Sequence, residues 1–256
     1  MRRFRNCVVL AVFCGLFLLA HPHEAAYAQT RPGRGFVLLF DGKTLNGWHV
    51  SSKTPHGSGG RWEVVDGAIV GRQHPPGQGG ILITDKQFED FELIVDVKPD
   101  WGTDSGIFLR SSEQGQCYQV MVDYHAGGNI GGIYGEGLPD GLHHRTYDLN
   151  ERGEVVPNRA LSGGEPLRFK PKDWPKIWKR DDWNRLRIRI LGNPPTITVW
   201  LNGRLITEFT DTKRRLPNKG GIAFQVHGGG DTSALAVRFR DIWLRALTPP
   251  SPVPNF

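Results

Sequence analysis

The chain has 256 residues, a formal charge of +6, 33 glycines, 18 prolines and three cysteines. The charge is modest and the basic residues are scattered, so no basic stripe of the kind that tracks nucleic acid is present. Short apolar runs between Gly and Pro signals, with no heptads and no internal repeat, exclude a coiled coil or helical bundle and leave one large β domain.

MRRFRN (residues 1–6) carries three arginines, CVVLAVFCGLFLLA (7–20) is a short apolar run, and Ala26-Tyr27-Ala28 offers small residues where a signal peptidase reads. Spanning a bilayer needs about 20 apolar residues, so an uncleaved anchor is the weaker reading. We expect cleavage after Ala28, an exported protein (periplasmic or secreted), and no stable membrane insertion afterwards. Cys14 follows the bulky Phe13 inside the apolar run, which argues against lipid attachment. Loss of 1–28 removes Arg2, Arg3, Arg5 and Glu24, lowering the charge from +6 to +4, and removes Cys7 and Cys14. Cys117 then has no intrachain partner, and stability must come from the core. The expected division is a signal peptide (1–28), a single β domain (29–247) and a Pro-rich tail (248–256).

Strand signals follow in order: RWEVVDGAIVG (61–71, turning at Asp66-Gly67), FELIVDVK (91–98), SGIFLR (105–110) and YQVMVD (118–123). After a gap come WNRLRIRI (183–190), TITVWLNGRLITEF (196–209, turning at Asn202-Gly203), GIAFQVHG (221–228) and AVRFRDIWL (236–244). Each run has one apolar face; in FELIVDVK, Phe91, Leu93, Val95 and Val97 oppose Glu92, Asp96 and Lys98. Two antiparallel sheets packed face to face are the expected solution. Residues 138–182 break the pattern, and Tyr147, Trp174 and Trp178 within them predict an ordered loop over one face. In YQVMVDYH (118–125), Tyr118, Val120 and Val122 face the core, which leaves an amide, a thioether and a carboxylate on the other side.

FVLLFDGKTLNGWHV (36–50), the W-E-V-x-D-G-A-I hairpin (62–69), DSGIFLR (104–110), GGIYGEG (131–137), WLNG (200–203), GGIAFQVHG (220–228) and VRFRDIWL (237–244) together resemble the 3-keto-disaccharide hydrolase family, across roughly 36–247. LFDGKTLNGW, in this order with the rest, carries most of the specificity. The resemblance implies a concanavalin A-like jelly roll and activity on sugars oxidised at carbon 3, cleaved by elimination and hydration.

If that fold holds, the polar side of YQVMVD faces a saccharide groove. Period-2 alternation then selects Gln119, Met121 and Asp123, Phe108 and Arg110, Gln225 and His227, and Arg238 and Arg240. A retaining glucanase would need two carboxylates about 5 Å apart; the strand offers only Asp123, though Glu136 lies in the next segment. Elimination from a 3-keto sugar asks instead for a base, an acid and a cation at the enolate, with no covalent nucleophile. The candidate catalytic residues are His227, Asp123, Glu136, Tyr134 and His125, and the candidate substrate contacts are Arg110, Gln119, Gln225, Arg240 and Trp101. Each has a plainer reading: a surface histidine for His227 and His125, a turn cap for Asp123, turn chemistry for Tyr134 and Glu136, an ion pair for the arginines, packing for Trp101. Adjacent histidines in His143-His144-Arg145 point apart, so that pair does not make a metal site by itself. A divalent metal ion is the one cofactor left open. The expected partner is an oxidised saccharide, with no nucleic acid. The competing function is a lectin-like binding module using the same groove without chemistry.

Overall fold

The computed structural model describes residues 32–138 and 140–247. The expected signal peptide and Pro-rich tail lie outside the described residues. The two sharpest hairpins turn at the predicted dipeptides: β3 (Arg61–Val65) meets β4 (Ala68–Arg72) through Asp66-Gly67, and β14 (Thr196–Leu201) meets β15 (Arg204–Thr210) through Asn202-Gly203. These four residues hold φ values of 50°, 74°, 47° and 82°. Two-residue hairpins require that left-handed backbone, which Gly, Asn and Asp adopt most readily.

One sheet orders β15, β14, β13 (Asn184–Leu191), β6 (Phe91–Pro99), β17 (Val237–Ala246), β4 and β3, with β1 (Val37–Leu38) also on β17. The other orders β10 (His143–His144), β9 (Ile130–Glu136), β8 (Cys117–Val122), β7 (Gly106–Ser111), β16 (Gly221–Val226), β5 (Gly80–Thr84) and β2 (Trp48–Val50). Inner-face residues such as Leu93, Val95 and Ile188 from the first sheet and Ile107, Val120 and Phe224 from the second share one buried core. Each such side chain contributes about 1.5–3 kcal/mol on burial. The fold is an all-β, concanavalin A-like jelly roll.

On the outer face of the first sheet, the arginines of RLRIRI meet the acids of FELIVDVK. Arg185 donates to Asp96 at 2.6 Å and Arg187 to Glu92 at 2.7 Å. This placement corrects two groove expectations. Alternation assigns a residue to a face but not to a sheet, and β17 lies between β6 and β4, away from β8. Arg240 therefore stacks its guanidinium over Trp183 at 4.1 Å, and Arg238 pairs with Asp100 at 2.7 Å. Neither reaches the groove.

The outer face of the second sheet is divided. Its β5–β16–β7 side is apolar, with Ile81, Ile83, Phe108 and Ala223 joined by Cys117 of β8 in a second buried cluster. Phe108 is thus sealed rather than lining a groove, and Cys117 is a buried free thiol. The β8–β9–β10 side is polar and carries the candidate site. Residues 140–182 include a hairpin, β11 (Tyr147–Leu149) with β12 (Val155–Pro157), then a short helix, α1 (Trp174–Ile177). They are held by rings: Trp174 stacks on Phe169 at 5.7 Å and on Trp178 at 6.0 Å, while Tyr124 contacts Trp178 at 5.0 Å. Among the described residues no helix is long and apolar enough to cross a membrane.

Candidate active site

Strand register builds one row of outward side chains. His143 pairs with Tyr134 and Tyr134 with Gln119, and the rings of His143 and Tyr134 meet edge-on at 5.2 Å. Glu136, two residues beyond Tyr134, shares that face. Past the end of β8, the Asp123 N–H donates to the Asn129 carbonyl at 3.0 Å. Asn129 is itself fixed, donating to the Tyr147 carbonyl and accepting the Gly132 N–H, both at 2.7 Å. Asp104, just before β7, and His227, just after β16, complete the opposite wall, joined by the His227 N–H to the Asp104 carbonyl at 3.2 Å. The resulting cleft measures about 340 Å³ and is lined by Gln119, Met121, Asp123, Tyr134, Glu136 and His227, among others.

Under one end lies a chain of amides. The Gln119 side-chain amide donates to Gln225 Oε1 at 3.2 Å, and that of Gln225 donates to His56 Nε2 at 3.1 Å. Gly106 makes room for this arrangement, since a Cβ there would fall 2.3 Å from the Gln119 amide nitrogen. Accepting a hydrogen bond at Nε2 requires a neutral His56 ring with its proton on Nδ1. Burial, reinforced by the neighbouring His227, pushes the His56 pKa down to about 4, against an opposing pull from Asp104. The His56 and His227 rings are 5.4 Å apart, and His56 Nε2 lies 3.7 Å from Glu136 Oε1. Burial raises the Glu136 pKa, with His227 opposing and Asp104 assisting.

The other end is organised around two carboxyls and two basic groups. Asp123 is 6% exposed, and its Oδ1 is buried without a hydrogen-bond partner. Burial, then the nearby Asp104 carboxyl, holds its pKa well above the usual range, against the Ser105 N–H and Arg145. Asp123 therefore favours its protonated form. His125 donates from Nδ1 to the Ala126 carbonyl at 2.9 Å and faces Asp104 through Nε2 at 3.8 Å. Asp104 raises the His125 pKa, with burial opposing. Arg145 donates to the Gly127 carbonyl at 3.3 Å and lines the same cleft. The site therefore separates a neutral histidine, His56, from one biased toward its cation, His125.

The structure brings His227, Asp123, Glu136, Tyr134, His125 and Gln119 into this one cleft. Besides Arg240, three expected contacts do not reach it. Arg110 is 2% exposed and turned inward, donating to Asp90 at 2.6 Å, to the Glu89 carbonyl at 2.9 Å and to the Gly192 carbonyl at 2.8 Å. A bulge breaks the alternation there: the β16–β7 register shifts, and Arg110 itself has φ of 53°. Gln225 has the expected parity but is 0% exposed, roofed by His56, so it positions rather than touches a ligand. Trp101 stands edge-on to Tyr124 at 4.9 Å and packs over Gly153, outside the cleft.

Sequence reasoning missed His56 and Asp104. His56 sits in the Gly/Ser-rich segment 51–60, where no periodicity predicts a direction. Asp104 immediately precedes the SGIFLR run and was legible as its first polar residue. His143 faces the cleft, whereas His144 turns away onto Phe209 at 5.1 Å. Among the described residues, no three His, Cys, Asp or Glu side chains converge as a metal-ligand set.

Two packed sheets with an open, ionisable cleft on one outer face define a jelly-roll protein of the concanavalin A-like class. Residues 35–245 match the family described as the 3-keto-alpha-glucoside-1,2-lyase-like domain, and the chain belongs to that family. A Bacteroides thetaiotaomicron protein named 3-keto-disaccharide hydrolase is 38% identical over 84 residues, a stretch covering 31% of this chain and only 28% of that relative. Two solved Parabacteroides distasonis proteins, described as candidate glycosyl hydrolases, superpose with TM-scores of 0.53 and 0.51 at 17% and 20% identity. The superpositions cover 89% and 83% of this chain and 98% and 99% of theirs, a likeness of fold.

Proposed function

We propose that this chain is an exported carbohydrate-active enzyme that cleaves 3-keto-glycosides, including 3-keto-disaccharides, by elimination followed by hydration. Export is inferred from the arginine-led apolar segment at 1–20 and the Ala-Tyr-Ala site at 26–28. The observation that carries the reaction is the placement of a basic group and a proton-bearing carboxyl on opposite walls of one cleft, with positive charge beside the latter.

The ketone at C3 acidifies the C2 hydrogen. His227, backed by His56 and Glu136, takes that proton, and the electrons of the broken C–H bond pass into a C2–C3 enolate. His125, whose pKa Asp104 raises, offsets the enolate charge together with Arg145, which Asp148 holds at 2.9 Å. Collapse of the enolate restores the ketone, forms a C1–C2 double bond and expels the glycosidic oxygen, which receives the proton held by Asp123. Water adding across C1–C2 then gives the free 3-keto sugar, so the net change is hydrolysis. Tyr134 and Gln119 orient sugar hydroxyls.

The chain lacking residues 1–28 is to be incubated with 3-keto-trehalose and a 3-keto-glucoside, with and without divalent metal, while the released second product is followed. Release that falls about 100-fold or more in His227→Ala is expected. No release from either substrate, combined with calorimetric binding of unoxidised glycans that survives His227→Ala, would instead make the chain a lectin-like module.

A further inference from the structure

The loop carrying Asp123 and His125 has a second cleft on its other side. Tyr124, between them, lies in the wall of a cavity of about 560 Å³, larger than the candidate active site and within the range of small-ligand sites. Among its apolar lining residues Pro171 and Pro175 are exposed, while Tyr124 and Trp178 are nearly buried and reach the cavity only at their edges. The indole ring of Trp174 donates to the Gly153 carbonyl at 3.1 Å and stacks parallel to Trp178, so this wall is preformed. Trp178 is 4% exposed, and its indole N–H is a buried donor with no acceptor, an uncommon condition in a folded protein.

The rim is basic. Lys172, Lys179 and Arg180 are exposed along it and have no carboxylate partner among the described residues. The one acidic side chain in the lining, Glu154, is already engaged by Arg152 at 2.7 Å and Asn150 at 2.9 Å. Three unmatched cations beside exposed prolines and the edges of buried rings fit a ligand with carboxylates on its edge and a C–H-rich face. A uronic acid unit has both: the pyranose face meets proline and tryptophan edges while the carboxylate meets lysine or arginine.

We propose that this cleft is a second binding site, separate from the candidate active site, for acidic saccharides. It would hold a carboxylated glycan on the enzyme while chemistry proceeds on the far side of the 123–128 loop. The inference stands whether or not the proposed elimination is correct.

The probe is trigalacturonate, with maltotriose as the neutral comparison, each titrated calorimetrically into the chain lacking residues 1–28. Trigalacturonate is expected to bind at sub-millimolar concentration and maltotriose much more weakly, with affinity falling as salt is raised. Lys172→Glu/Arg180→Glu, which alters exposed side chains only, is expected to weaken trigalacturonate binding at least about tenfold, whereas His227→Ala leaves it unchanged. Absence of trigalacturonate binding at millimolar concentration would overturn the proposal. So would equal binding of the neutral sugar, indifference to the charge reversal, or loss of binding in His227→Ala, which would place the ligand in the first cleft.

Discussion

Replacing Asp123 with Asn separates what the site does for chemistry from what it costs the fold. In the folded chain Asp123 is buried beside Asp104, and its carboxyl is held protonated well above the usual carboxylate range. Below about pH 3.9 folded and unfolded chains both carry the proton, and the site contributes no pH-dependent difference. As pH rises past that value, the unfolded chain ionises freely while the folded chain resists, so native stability declines until pH passes the folded pKa. Each unit of elevation amounts to about 1.4 kcal/mol. Asn keeps the acceptor that takes the Ser105 N–H, and its amide can donate to Asp104 without any ionisation. Asp123→Asn is therefore expected to match wild type near pH 4 and to exceed it increasingly as pH rises toward 7.5, by about 2–4 °C in Tm for each kcal/mol in a chain of this size. The same variant lacks the transferable proton and should lose most activity on 3-keto-glycosides. Urea melts at the two pH values, read by far-UV circular dichroism, measure the difference. A pH-independent difference, or a variant that becomes less stable than wild type as pH rises, would refute the reasoning.

Arg110→Met leaves Asp90 as an uncompensated buried charge and removes two carbonyl contacts, so urea melts should show a loss of about 3–5 kcal/mol, with KM unchanged wherever the protein is folded; a raised KM would place Arg110 at the substrate after all. Gly106→Ala drives a methyl group into the Gln119 amide and should lower kcat/KM about tenfold while changing Tm little, measured by steady-state kinetics beside calorimetry. On the surface, His49 sits between Asp85 at 2.6 Å and Glu113 at 3.0 Å, and Asp85 leads in raising its pKa against partial burial. That raised value contributes stability fully present below about pH 6.5 and lost as pH climbs through the folded pKa. With all three groups substantially exposed, His49→Gln should cost only a few tenths of a kcal/mol at pH 5.5 and nothing at pH 9, as read by thermal melts.

Much of the architecture was legible in the chain because its signals are local. Asp66-Gly67 and Asn202-Gly203 name their own turns, and the apolar alternation of FELIVDVK states which side is core. The same alternation placed Gln119, Asp123 and His227 in one cleft, since each lies on or next to β8 or β16, and Tyr134 and Glu136 join them from β9. It failed where the determining fact was not local. A bulge with φ of 53° turned Arg110 inward. Arg240 alternates correctly but on a strand of the opposite sheet. Gln225 points outward as expected yet lies beneath His56, and Phe108 is covered by a second apolar cluster. His56 itself comes from a segment without periodicity, placed only by tertiary packing.

The central claim is that this cleft removes the C2 proton of a 3-keto sugar, and deuterium exchange reads that event directly. The chain lacking residues 1–28 is incubated in D₂O with a 3-keto-glucoside, and the C2 position of substrate and product is followed by proton NMR. The account predicts loss of the C2 proton signal in the released 3-keto sugar and its retention in the His227→Ala incubation. Glycoside cleavage that leaves the C2 proton in place would contradict it.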